Sequence, residues 1–335
     1  MTLPALVTTW QSQGEVVPVA GHDIFVVDRG RLDAPALVLL HGFPGSSFDW
    51  RLVVDALAPR WRVLTFDFLG YGLSAKPDQA YSLFDQADLV EELLAAKGVD
   101  WAVLVAHDMG DTVAAELLAR SVAAAGAPTG SGDPGRSAGD PGGGDDPVGS
   151  SGAGDPGDPG GGSGGGSGIE WAGCLLTNGS IFIDMAQLTA GQLGLLALPD
   201  EMTAGSLGEE GMAAGLRASF PPDRPDPEEM QAMVALILHA DGDRLLPRLI
   251  RYIEERRAHQ PRWTAGLVDY PGPMVVAWGD LDPIAVPAMA DRLAALRAAA
   301  GRDVELVHWP EIGHWPSVED PSLVAGLVAD RLSFL

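Results

Sequence analysis

The sequence predicts an α/β fold, a mostly parallel and doubly wound sheet with helices on both faces and a helical block inserted late in the chain. Three observations carry that expectation. Short apolar runs rich in Val and Leu alternate with longer amphipathic stretches through the first half of the chain. Between positions 180 and 265 the pattern turns helical and rich in Met, with no strand-like run. The alternation then resumes to the last residue.

The runs at 24–27, 36–40, 63–66 and 102–106 are too short for helices and apolar on both faces, as strands covered from both sides must be. Stretches 48–58, 83–97 and 111–125 are amphipathic and read as the helices between and after them. From Gly126 to Gly168, 19 glycines and 6 prolines account for 25 of 43 positions. Such a segment buries too little apolar surface to offset the entropy of ordering, so 126–168 is expected to be a disordered surface insertion with solvated Asp-Pro-Gly repeats. A further apolar run follows at 173–177. The Met-rich block 180–265 is expected to be a lid, because ligands of open α/β sheets bind beyond the carboxyl ends of the strands. A strand at 274–278, a helix at 286–299, a strand at 304–308 and a helix at 323–335 complete the pattern. The domains expected are thus a core of 1–179 and 266–335 and a lid of 180–265.

Composition narrows the partners. With 21 basic against 46 acidic residues and a net charge of −25, neither nucleic acid nor an anionic membrane is expected to bind. The single Cys174 excludes an internal disulfide and a cysteine metal cluster, and fits a reducing compartment. The opening residues carry no basic region and no sustained apolar run, and no apolar stretch approaches the roughly 18 residues of a membrane span. A cytoplasmic protein, monomer or homodimer, is expected. Asp241-Gly242-Asp243 resembles the start of a calcium loop but lacks the remaining ligands, and the Gly runs follow no strand, so neither a metal nor a nucleotide cofactor is expected.

The run at 102–106 passes through His107-Asp108-Met109-Gly110-Asp111 straight into a helix. A sharp strand–turn–helix lifts one side chain above the sheet beside a helix N-terminus, the geometry of a nucleophile elbow. Its usual pattern, Gly-x-Ser-x-Gly, here reads Ala106-His107-Asp108-Met109-Gly110, which puts Asp108 at the nucleophile position. An Asp there also suits a plain helix cap, but its surroundings favour chemistry. His41-Gly42-Phe43-Pro44 follows the run at 36–40, where this architecture draws an oxyanion-hole donor, and the backbone N–H groups of Phe43 and Met109 are the expected pair. Asp282, in Gly279-Asp280-Leu281-Asp282-Pro283, follows the run at 274–278, with Asp280 as its competitor for the role of acid. His314, in Glu311-Ile312-Gly313-His314-Trp315-Pro316, follows the next strand. Nucleophile, acid and His thus come in the order of a hydrolytic triad set on strand ends. Trp50, Trp61 and Trp263 read as packing, and Trp315 as a residue of the pocket.

These residues resemble the α/β-hydrolase superfamily, and within it the epoxide hydrolase and haloalkane dehalogenase group, most closely hydrolases of the mesoderm-specific transcript type. The resemblance rests on the segments 41–50, 67–77, 107–111, 252–256 and 279–283, and spans nearly the whole chain apart from the insertion. It implies an α/β-hydrolase fold and a hydrolase that acts at saturated carbon on a small apolar epoxide or halogenated substrate with water. Asp108 would form an alkyl ester, and His314, oriented by Asp282, would activate water to cleave it. The Asp-Pro pair that marks this turn in the family favours Asp282 over Asp280. Dehalogenases of the group hold halide with a Trp after the nucleophile and often an Asn after His-Gly, positions filled here by Met109 and Phe43. Epoxide hydrolases use lid tyrosines, and Tyr252 resembles the later of their two. An epoxide hydrolase is therefore expected, with a haloalkane or haloacid dehalogenase, or a catalytically idle binding protein, as alternatives. A base of ordinary basicity at His314 predicts loss of activity below pH about 6–7.

Overall fold

A computed structural model describes residues 2–126 and 168–332. The insertion read over 126–168 lies, apart from its two end residues, outside them. Eight strands form one sheet: β1 (Glu15–Val19), β2 (His22–Gly30), β3 (Ala36–Leu40), β4 (Arg62–Phe66), β5 (Trp101–His107), β6 (Glu170–Thr177), β7 (Met274–Gly279) and β8 (Glu305–Trp309). Their spatial order is β1-β2-β4-β3-β5-β6-β7-β8. The pairs β1–β2 and β2–β4 are antiparallel and all other neighbours are parallel. Every residue of β3, β4 and β7 is buried, which is why these strands read as largely apolar runs, interrupted in β4 by Arg62 and Thr65.

Two differences from the sequence expectation have local causes. β1 escapes the apolar pattern because it is an exposed edge strand holding Pro18, a residue without an N–H that only an edge tolerates. Ala20 and Gly21, both at positive φ, turn β1 back onto β2 as a tight hairpin requires. The helix expected at 111–125 runs Met109–Gly126, so it starts directly after Asp108.

Between β6 and β7 the described residues form helices and no strand: Ala190–Leu196, Gly208–Arg217, Pro227–Leu238, a distorted turn His239–Leu245, Leu246–Leu249 and Tyr252–Asp269. Thr189 and Gln192 close a capping box on the first, and Asp226 caps the third ahead of Pro227. The last helix continues past 265 and packs along Met109–Gly126. Glu116 secures that contact from a buried position, accepting from Arg262 Nε at 2.7 Å, Trp263 Nε1 at 2.9 Å and Arg120 Nε at 2.9 Å. No helix among the described residues is long and apolar enough to cross a membrane.

Gly266 permits this approach, since a Cβ on it would stand 2.6 Å from the Ala115 carbonyl oxygen and 2.9 Å from the Ala119 nitrogen. Gly266→Ala should therefore cost about 1–3 kcal/mol by overpacking. Urea unfolding would read this as a lower midpoint at constant slope, and an unchanged midpoint would refute it.

Candidate active site

Asp108 sits between the end of β5 and the first residue of the helix Met109–Gly126, with φ at +50°. A non-glycine residue in this region carries strain of order 1–3 kcal/mol and persists only where its surroundings over-determine it. Here they do. The Asp108 N–H donates to the Thr177 carbonyl at 3.3 Å, and its own carbonyl accepts from Asp111 N at 3.2 Å and Arg256 Nη2 at 3.3 Å. Two glycines make the room. A Cβ on Gly110 would lie 2.6 Å from the Leu40 carbonyl oxygen, and one on Gly42 would lie 2.5 Å from the Asp108 Cβ.

The two oxygens of Asp108 differ. Oδ2 accepts the Phe43 backbone N–H at 2.9 Å, while Oδ1 lies 3.9 Å from His314 Nε2. No hydrogen bond joins the Met109 N–H to this carboxylate, so of the two expected donors Phe43 alone engages it. His314 Nδ1 is 2.8 Å from Asp282 Oδ2. Asp282 is saturated: Oδ2 also accepts from Asn178 Nδ2 at 2.8 Å, and Oδ1 accepts from the N–H groups of Ile284 at 2.7 Å and Ala285 at 3.0 Å. Asp280 faces away and lies 2.6 Å from His308 at the surface. Burial disfavours the charged His314 ring, but the charge and hydrogen bond of Asp282, with the charge of Asp108, outweigh it and raise the imidazole to about 9.

Two residues outside the expected set hold this arrangement. Asn178 spans the ends of β6, β7 and the His314 loop, accepting from Gly279 N at 3.0 Å and donating to the Gly313 carbonyl at 3.2 Å. Its signal was present in the sequence, as a polar residue directly after the run at 173–177. Glu319 clamps the backbone on both sides of His314, accepting from Gly313 N at 2.7 Å and Trp315 N at 2.9 Å. Nothing in its spacing announces it.

The other expected residues surround the elbow at different depths. His41 is buried with Nδ1 on the Gly42 carbonyl at 2.9 Å and Nε2 accepting the Phe68 N–H at 3.0 Å, so both ring nitrogens serve the main chain. Met109 is buried, and its sulfur accepts the Tyr71 hydroxyl at 3.2 Å. Tyr252 packs on Phe43, ring centroids 5.7 Å apart, over the Arg256 guanidinium at 4.9 Å. Burial, then the charge of Asp108, holds its phenol well above the ordinary range, against the opposing charge of Arg256. A cavity of about 370 Å³ opens beside these groups, with Phe43, His314 and Trp315 in its wall. The helices Ala190–Leu196 and Gly208–Arg217 supply most of the rest, chiefly apolar residues and glycines. Asp108, Met109, His41 and Tyr252 are buried and are not among the residues that line it. Trp315 donates its indole N–H to Ser219 at 2.8 Å and stacks on Phe220. No group of three or more His, Cys, Asp or Glu among the described residues is disposed to hold a metal ion.

A mostly parallel sheet with an elbow after β5 and a histidine beyond its last strand is the architecture of α/β-hydrolases. A family model described as alpha/beta hydrolase fold matches residues 35–129. The putative hydrolase LipZ of Mycobacterium tuberculosis is 33% identical over 328 residues, 97% of each chain. The mesoderm-specific transcript protein of Mus musculus is 30% identical over 330 residues, 95% of this chain and 85% of its own. The crystal structure of haloalkane dehalogenase DbeA from Bradyrhizobium elkani shares the fold with a TM-score of 0.68 at 22% identity, over 96% of this chain and 99% of that one. The chain belongs to the α/β-hydrolase family.

A folded-state value of about 9 for His314, above the ordinary 6.5, means that its charge stabilises the fold fully below pH 6.5 and that this contribution is lost as pH rises through about 9. The stability difference between wild type and His314→Gln, measured by urea unfolding, should move against wild type across that window. A difference that stays flat from pH 6 to pH 10 would contradict the assignment.

Proposed function

We propose that the chain hydrolyses epoxides through a covalent ester on Asp108. The observation that carries this is the asymmetry of the Asp108 carboxylate, one oxygen occupied by the Phe43 N–H and the other turned toward His314, with a protonated phenol, Tyr252, buried close by. Oδ1 attacks an epoxide carbon, the C–O bond of the ring breaks, and the departing oxygen takes the Tyr252 proton. The ester carbonyl oxygen is then Oδ2, already on its donor. His314 Nε2 takes a proton from water as the water oxygen attacks Asp108 Cγ, and the Phe43 N–H holds the developing oxyanion. One such donor is worth roughly 3–4 kcal/mol in enzymes where it has been removed. On collapse the released alkoxide takes the His314 proton and the Tyr252 phenolate recovers the remaining one, leaving a diol and the starting enzyme.

The raised value of His314 gives this sequence its order. At about 9 the imidazole is charged in the resting site at neutral pH, which replaces the ordinary base expected from the sequence. Alkylation removes the negative charge of Asp108, one of the influences that hold the proton, so His314 releases that proton to solvent and becomes a base once there is an ester to hydrolyse, and it takes a proton from solvent again when the free carboxylate is restored. The rate of ester hydrolysis is expected to rise with pH through a value below about 9.

In this reading the helices between β6 and β7 are the lid, and the cavity they wall holds the apolar part of the substrate. Gly194, Gly211 and Gly215 line it although none has positive φ and a Cβ on any of them would meet nothing within 4 Å. Glycine inside a helix costs up to about 1 kcal/mol relative to Ala, and room for a bulky apolar group accounts for it here. A halide leaving group finds no side-chain N–H at Met109 or Phe43, so halogenated alkanes are expected to turn over more slowly than epoxides.

Single-turnover hydrolysis in ¹⁸O water should place label in the Asp108 carboxylate, and its absence there would exclude the ester. Asp108→Asn should lower kcat by about 10⁴-fold or more, as loss of a covalent nucleophile does. Gly194→Ala and Gly215→Ala should each stabilise the fold by about 0.5–1 kcal/mol. They should also lower kcat/KM for a bulky epoxide more than for a small one, and equal effects on both would remove the cavity from substrate binding.

A further inference from the structure

Arg256 is a buried side chain that the chemistry above leaves unused. It lies one helical turn after Tyr252 on the helix Tyr252–Asp269, so the helix sets both on one face. Its guanidinium stands 4.9 Å from the centroid of the Tyr252 ring. From that position Nε donates to Thr112 Oγ1 at 2.8 Å and Nη2 to the Asp108 carbonyl at 3.3 Å. Among the described residues no carboxylate oxygen lies within 4 Å of it, an unusual state for a buried cation. Asp111 lies beyond ion-pair distance, and burial, then the charge of Asp108, pushes its carboxyl well above the usual range against the opposing charge of Arg256.

We propose that Arg256 is the positioning residue for ring opening: it fixes the Tyr252 phenol against the backbone of Asp108 and stabilises the negative charge that passes from one to the other. The inference rests on the epoxide chemistry proposed above. As the bond from Asp108 Oδ1 to carbon forms and the ring C–O bond breaks, the phenol proton moves to the ring oxygen. The negative charge that began on the carboxylate ends on the Tyr252 oxygen. Arg256 contacts the main chain of the first residue and the ring face of the second, so the cation needs no movement during the step. The ester's later hydrolysis, which depends on His314 and the Phe43 N–H, makes no use of it.

The test separates the two half-reactions in the full-length protein. Styrene oxide is mixed with excess enzyme, and the Asp108 ester is followed by rapid quench and mass spectrometry. Arg256→Met should slow ester formation by about 10–100-fold, no more than the lower limit of what general-acid catalysis contributes, and change ester decay less than about twofold. Arg256→Lys keeps the charge but cannot hold both contacts, and should fall between Met and wild type. Thr112→Val removes the Nε acceptor at nearly constant volume, and should slow formation several-fold without altering decay, which keeps the test decisive if Arg256→Met does not fold. Equal slowing of both steps, or no change in formation in Arg256→Lys and Thr112→Val, would overturn the inference. If wild type itself forms no ester on Asp108 with this probe, the epoxide chemistry fails, which is distinct from a wild-type ester whose formation the variants leave untouched.

Discussion

The turn at Asp108 is the constraint on which the rest of the site depends. A strand and a helix meet there across one residue held at positive φ, and the turn survives because backbone from two other segments presses on it. The loop after β3 approaches through Gly42, the elbow helix tucks under the Leu40 carbonyl through Gly110, and Thr177 at the end of β6 takes the Asp108 N–H. The contact that strains the elbow is also the contact that brings Phe43 N–H to Oδ2. Packing and chemistry use the same few ångströms.

Electrostatics then divides four buried ionisable groups into two kinds. Asp282, ringed by three N–H donors and His314, supports a charged imidazole, whereas burial and then the charge of Asp108 push the carboxyl of Asp111, a short distance along the elbow helix, well above its ordinary value. Identical carboxyl groups take different roles because one finds donors and the other finds a like charge. The large net negative charge of the chain plays no direct part in this division, since the groups concerned are shielded from solvent and respond to neighbours within a few ångströms.

Much of the fold was legible because β3, β4, β5 and β7 are nearly or wholly buried and so are mostly apolar, and Asp108 and Asp282 were legible because each follows such a run, whereas His314 follows the less buried β8. β1 was hidden by its exposure and its proline. The Asp-Pro pair already favoured Asp282 over Asp280, and the turn after β7 sends Asp280 to His308 and Asp282 to His314. Glu319 was hidden for a different reason. Its partners are two backbone N–H groups, which every residue but proline possesses, so no pattern of side chains could mark it. The altered basicity of His314 likewise arises from distances, and residue identities alone suggested an ordinary histidine.

The attachment of the glycine-rich insertion has a practical side. Asp108 follows the last residue of β5, while β6 begins at Glu170 paired with Trp101, the first residue of β5. The 18-residue helix from Met109 to Gly126 carries the chain back by about 27 Å to that opposite rim of the sheet. Gly126 and Gly168, the described residues on either side of the insertion, therefore lie toward the rim of the sheet opposite Asp108. A cargo domain, a fluorescent reporter or a surface anchor joined there would hold the molecule by its base and leave the opening toward His314 facing the medium.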